Sequence, residues 1–126
     1  MTKILLAEDD DSLRGFLARA LERAGYEVRA CADGDEAMDA LPEGEWDLLL
    51  TDIVMPARSG IELAAEVERR APGVSVVYMS GYSEDVHGDM PTEAGIFVAK
   101  PFDAQVLLES IDAALGQRTG ETAANA

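Results

Sequence analysis

Acidic residues follow directly on two apolar runs of this 126-residue chain. Glu8, Asp9, Asp10 and Asp11 come after Ile4-Leu5-Leu6-Ala7, and Asp52 ends the run Leu48-Leu49-Leu50-Thr51. Ser80-Gly81 ends the stretch Val74 to Met79, and Lys100-Pro101 ends Ile96 to Ala99. Apolar runs of this length, bounded by turn signals, fit strands buried on both faces of a parallel sheet. In open α/β sheets ligands bind outside the carboxyl ends of the strands, where the strand order reverses. Glu8, Asp9, Asp52, Ser80 and Lys100 are therefore expected at one edge. Three neighbouring carboxylates raise one another's pKa unless a cation neutralises them. Oxygen ligands that leave places for water and a phosphate suit Mg²⁺ better than zinc, and no His or Cys stands at metal-ligand spacing. With Lys100 as a point cation and Ser80 as a hydroxyl donor, the set suits stabilisation of phosphoryl oxygens while Asp52 attacks phosphorus. Taken singly, each residue reads as a cap, a turn residue or a solvated lysine. Their joint occurrence after four strands is what argues for chemistry.

The elements that must position these residues alternate along the chain. After the first strand, Leu13, Phe16, Leu17, Ala20, Leu21 and Ala24 have the spacing of one buried helix face. Asp10, Asp11 or Ser12 can cap that helix and Gly25 ends it. Tyr26 to Ala32 reads as a strand, and Asp33 to Leu41 as a short helix stopped by Pro42 and Gly44. Beyond the Asp52 strand, Pro56 and Gly60 mark a loop, and Ile61 to Arg70 is helical with Leu63, Ala64 and Val67 inward. Val74 to Met79 and Ile96 to Ala99 are strands. Phe102 and Asp103 open a last helix with Leu107, Leu108, Ile111 and Leu115 inward, closing at Gly116. Five strands alternating with helices predict a parallel sheet covered on both faces. Glu84 to Ala94 fits worst: Gly88 and Pro91 predict a short or irregular fourth helix. Residues 1–116 read as one domain and 117–126 as a disordered tail.

Charge limits the partners. There are 25 acidic and 10 basic residues, a net charge of −15. Such a surface repels nucleic-acid phosphates and anionic lipid, so neither nucleic acid nor membrane is an expected partner. No apolar run approaches the roughly 20 residues of a membrane span, and Met1-Thr2-Lys3 leads into a strand too short for a signal peptide. A cytoplasmic location is expected. Cys31 is the sole cysteine and reads as a small half-buried apolar residue. His87 reads as exposed decoration, and Trp46 as packing over a sheet edge.

Four blocks in this order resemble the receiver domain of two-component response regulators, the CheY-like superfamily. They are Ile4-Leu5-Leu6-Ala7-Glu8-Asp9-Asp10, Asp52-Ile53-Val54-Met55-Pro56 with Gly60, Val77-Tyr78-Met79-Ser80-Gly81, and Phe97-Val98-Ala99-Lys100-Pro101-Phe102. The resemblance spans Lys3 to Gly116. It implies a flavodoxin-like, doubly wound five-stranded sheet of order 2-1-3-4-5. It makes Asp52 the phosphoacceptor, Glu8 and Asp9 the acidic pair, and Val54 the source of a carbonyl for Mg²⁺. The pair could slip to Asp9 and Asp10, but the family's Arg six residues past the first acid falls at Arg14, in favour of Glu8. Ser80 becomes the switch hydroxyl, Lys100 the phosphate-binding cation, and Phe97 the aromatic that turns inward with Ser80, or simply strand core. Lys100-Pro101 matches the family's cis peptide. Val54 and Tyr82 stand where the family tunes phosphate lifetime.

The implied function is a phosphorelay switch rather than an enzyme acting on an external substrate. A histidine kinase or histidine phosphotransferase donates its phosphoryl group to Asp52, and the receiver assists its own phosphorylation and later hydrolysis. The resemblance is to single-domain receivers, so no output domain is expected. Its first and third strands look like the CpdR type, a phosphorylation-controlled protease adaptor whose partner is a protease component. Ser80-Gly81-Tyr82 with Lys100-Pro101-Phe102 looks more like the receiver of a hybrid histidine kinase. The segment from Ser80 to Lys100 is shorter than in many receivers, which puts in doubt the surface of the fourth and fifth helices on which many of them dimerise. Two rivals remain. A haloacid-dehalogenase-type phosphatase wants a second Asp at position 54, where Val54 stands. A receiver-like binding module that takes no phosphate would not need Asp52, Asp9, Ser80 and Lys100 together.

Overall fold

The computed structural model describes residues 1–81 and 95–118. Within them the elements run β1 (Lys3–Ala7), α1 (Asp11–Arg23), β2 (Glu27–Cys31), α2 (Gly34–Ala40), a 3₁₀ turn (Leu41–Glu43), β3 (Leu48–Asp52), α3 (Gly60–Arg70), β4 (Ser75–Ser80), β5 (Ile96–Ala99) and α4 (Ala104–Arg118). The expected fourth helix, with Tyr82, His87, Gly88 and Pro91, lies outside the described residues, as does the tail from 119. The strands form one sheet, parallel as the alternating pattern predicts and in the order β2-β1-β3-β4-β5 that the family resemblance implies.

Strand side chains alternate between two cores because successive Cβ atoms point to opposite faces. Leu5, Ala7, Leu49, Val76 and Tyr78 pack with Ala37 and Met38 of α2 and with Leu63 and Val67 of α3. Ile4, Leu6, Leu48, Leu50, Val77 and Met79 pack on the other face with Leu17 and Leu21 of α1 and Leu107 and Ile111 of α4. Both faces of β1 and β3 are thus covered, which is why those strands read as unbroken apolar runs.

Three expectations need correction. Phe16 and Ala24 are exposed, Phe16 to 38%, so the buried stripe of α1 is narrower than the apolar spacing suggests. The α-helix does end ahead of Pro42, at Ala40; Pro42 lies inside the 3₁₀ turn that follows, whose first residues need no N–H donor, and extended Gly44 closes it. α4 continues through Gly116 to Arg118, since one helical glycine costs only about 1 kcal/mol. Cys31 is fully buried rather than half-buried, and desolvation pushes its thiol up to about 11. Trp46 packs against the α2/α3 core and donates its indole N–H to the Leu41 carbonyl at 2.9 Å.

Register brings the strand ends level. Ala7 pairs with Thr51, Asp52 with Met79, and Ser80 with Ala99. The residues just beyond these strands, or closing them, therefore emerge at one edge.

Candidate functional site

Glu8 leaves β1 with its N–H donating to the Cys31 carbonyl at 3.1 Å, and only 1% of it is exposed. Its Oε2 accepts from the Asp10 N–H at 2.9 Å. Its carbonyl accepts from Arg14 Nη1 at 3.0 Å, while Arg14 Nη2 pairs with Asp11 Oδ1 at 2.6 Å. Arg14 thus reaches back from α1 to hold the β1 exit. The Asp10 carboxylate is occupied otherwise: it caps α1 by accepting from the Leu13 N–H at 2.9 Å. That resolves the three capping candidates in favour of Asp10, and leaves Glu8 and exposed Asp9 facing the third strand.

Asp52 closes β3 and is 6% exposed. One oxygen, Oδ1, accepts from the Val54 N–H at 3.2 Å; the other, Oδ2, accepts from Lys100 Nζ at 2.8 Å. Thr51 stays with the backbone, its hydroxyl donating to the Asp52 carbonyl at 2.9 Å. Gly60, the first residue of α3, lies against that carbonyl so closely that any Cβ there would collide with it. Its N–H donates to the Ile53 carbonyl at 2.8 Å. Glycine at 60 is required by this close approach rather than by a turn.

Lys100 follows β5 through a cis bond to Pro101 and contacts Glu8 Oε1 at 3.2 Å as well as Asp52. Burial works against its ammonium, but the Asp52 hydrogen bond and the charges of Asp52 and Glu8 outweigh it, and its pKa lies above the ordinary lysine value. Glu8 is raised above the ordinary carboxylate, chiefly by desolvation; the Asp10 N–H and Lys100 oppose this and the Asp52 charge adds to it.

One carboxylate oxygen each of Glu8, Asp9 and Asp52 lies within 4.8 Å of the others. With a single ammonium among them, the group keeps two net negative charges. A hard divalent cation on oxygen ligands fits that balance. Ser80 is buried at the end of β4, with its carbonyl accepting from the Lys100 N–H at 2.7 Å. Phe97 lies farther back on β5, partly buried, its ring stacked on Tyr78 at 5.1 Å between centroids and 18° between planes. Val54 is 60% exposed beside Asp52.

The residues expected at one edge are therefore brought together: Glu8, Asp9, Asp52 and Lys100 in direct reach, with Ser80 one strand across. The sequence reading placed Arg14 only as a register mark, and missed its bond to the Glu8 carbonyl and the Val54 N–H on Asp52. Helix periodicity carries no sign of a side chain folding back past its own cap.

The family model for the response regulator receiver domain matches residues 4–112. The chain is 40% identical over 115 residues to the response regulator receiver protein CpdR of Brucella abortus, covering 89% of this chain and 95% of that one. It is 36% identical over 112 residues to the sensor kinase CckA of the same organism, covering 86% of this chain but only 12% of the kinase. Among solved structures, the response regulator TrrA of Thermotoga maritima, in complex with Mg²⁺ and BeF, superposes with a TM-score of 0.80 at 30% identity, covering 90% of this chain and 98% of that one.

Proposed function

This chain belongs to the response regulator receiver family of two-component signalling, and from that membership we propose that it is a phosphorylation-dependent switch whose phosphoacceptor is Asp52. The observation that carries the reading is the three-carboxylate group of Glu8, Asp9 and Asp52 with Lys100 on Asp52 Oδ2. Asp9, Asp52 and the Val54 carbonyl would hold Mg²⁺ directly, with Glu8 acting through water. When bound, Mg²⁺ supplies positive charge for the phosphoryl oxygens. An Asp52 oxygen attacks phosphorus in line; the Oδ–P bond forms as the P–N bond of a partner's phosphohistidine breaks, and the electron pair leaves on the imidazole nitrogen. Lys100 neutralises charge on the transferring group, a preorganised contact of the kind that dominates such catalysis. Ser80 would then swing its hydroxyl to a phosphoryl oxygen, and Phe97 would follow by leaving its stack on Tyr78.

The test is intact mass after incubation with acetyl phosphate, with and without Mg²⁺, on the wild type and on Asp52→Ala. A Mg²⁺-dependent gain of one phosphoryl group that the substitution abolishes is the expected result. No gain from either acetyl phosphate or a phosphorylated histidine phosphotransferase would sink it and favour a binding module.

A second, finer reading concerns output. Similarity to CpdR along nearly that whole chain favours a protease adaptor controlled by phosphorylation over a relay shuttle. A protease component should then bind the unphosphorylated chain better than the BeF-treated one; equal binding to both counts against the adaptor.

A further inference from the structure

The loop from Ile53 to Ser59 carries Val54, whose carbonyl is the proposed metal oxygen, and the role inferred for the loop's supports rests on that reading. The exposed Val54 side chain gives the loop no anchor, although Met55 beside it is buried. Downstream, Ala57 takes φ 69°, and among the described residues it is the one non-glycine with positive φ. Strained backbone persists only where the surroundings over-determine it. Here the surroundings are α2.

Arg58 follows Ala57 directly, and its N–H donates to the Pro56 carbonyl at 2.7 Å. Its Nε donates to Asp35 Oδ1 at 3.1 Å. Its backbone lies on Gly34, the first residue of α2: a Cβ built there would stand 2.9 Å from the Arg58 Cβ and 3.0 Å from its carbonyl oxygen. Neither atom is the far end of a flexible side chain, so a change of rotamer cannot make room. The start of α2 is itself held, since Asp33 accepts from the Glu36 N–H at 2.8 Å and Glu36 accepts from the Ala32 N–H at 3.1 Å. At the loop's other end Ser59 and Glu62 form a reciprocal capping box on α3. Both flanks are thus held, and Arg58 ties the loop between them to α2.

We propose that Gly34, Arg58 and Asp35 are positioning residues of the metal-binding loop: the missing Cβ at 34 and the Arg58–Asp35 pair seat Arg58 on α2, which holds Ala57 left-handed and aims the Val54 carbonyl at the metal. None of the three touches a carboxylate of the site. An exposed ion pair contributes little alone, so the close approach at Gly34 is the larger effect.

The experiment is a Mg²⁺ titration of the full chain followed by amide NMR shifts, well below the melting temperature so that all molecules are folded. Gly34→Ala should weaken Mg²⁺ binding by about tenfold, the scale of losing an outer support of a metal site. Arg58→Ala and Asp35→Asn should each weaken it about two- to threefold. Adding Arg58→Gly to Gly34→Ala, which removes the colliding Cβ, should recover part of the loss. A purely structural role would lower melting temperature and leave the dissociation constant of the folded protein unchanged, which overturns the proposal. If Gly34→Ala does not fold, unchanged Mg²⁺ affinity in both Arg58→Ala and Asp35→Asn overturns it. Absence of any Mg²⁺ response in the wild type defeats the metal reading itself, and this proposal with it.

Discussion

Lys100 and a divalent cation would share the same oxygens, since its ammonium already lies on Asp52 and Glu8. Lys100→Ala should therefore separate two properties. Mg²⁺ binding should be unchanged or tighter, because a competing positive charge is gone, while phosphorylation by acetyl phosphate should slow by roughly 10²–10³-fold. A parallel loss of both, followed by Mg²⁺ titration and by rate of mass gain, would show that Lys100 organises the site rather than stabilising transferred charge. Glu8 makes a pH prediction. Its folded pKa lies above the unfolded value, chiefly through desolvation, so between those two values the folded chain binds more protons than the unfolded one. The metal-free protein then loses stability from this group as pH rises from the ordinary carboxylate range through the raised folded value. Mg²⁺ competes with that proton, so the increase in melting temperature that Mg²⁺ produces should grow with pH through the same window and then level. In Glu8→Gln the growth should flatten.

At the scale of elements, the β3–α3 connection is where local preference yields to tertiary demand. Ala57 is held left-handed, a conformation that costs an L-residue about 1–2 kcal/mol. Ala57→Gly relieves that strain but gives the unfolded chain more freedom, so a net gain of about 1 kcal/mol or less is expected. Chemical denaturation measures it; a loss of stability would mean that the Ala57 methyl packs usefully in that position. The helix ends behave more locally. Asp10, Asp33 and Ser59 each accept from the N–H three residues on, the geometry that short polar residues favour before a helix. β1 and β3 behave as their sequences require, because an unbroken apolar strand finds partners only when both faces are covered. Phe16 breaks the rule of its helix, since apolar spacing shows which face points inward but not how far the partner helix reaches.

For the whole molecule, the net charge of −15 and the local surplus of two negative charges at the site should respond differently to salt. NaCl screens general self-repulsion and should raise the melting temperature gradually. Mg²⁺ at matched ionic strength should add a saturable increment, about 2.7 kcal/mol at a hundredfold excess over its dissociation constant. Asp52→Ala should reduce only that increment, and equal effects of the two salts in the wild type would argue against a specific site. Much of this protein is legible in its residues alone. Period and punctuation determine the five strands, their parallel direction and most helix starts, because buried strands and capped helices obey local rules. The order of Glu8, Asp9, Asp52, Ser80 and Lys100 after strand ends determines that one edge is chemically special. What tertiary structure decided are contacts between separately formed elements: Lys100 on Glu8 and Asp52, Gly60 beneath the Asp52 carbonyl, and Arg58 on Gly34. Each depends on how closely two separately formed elements approach, and no local pattern encodes that distance.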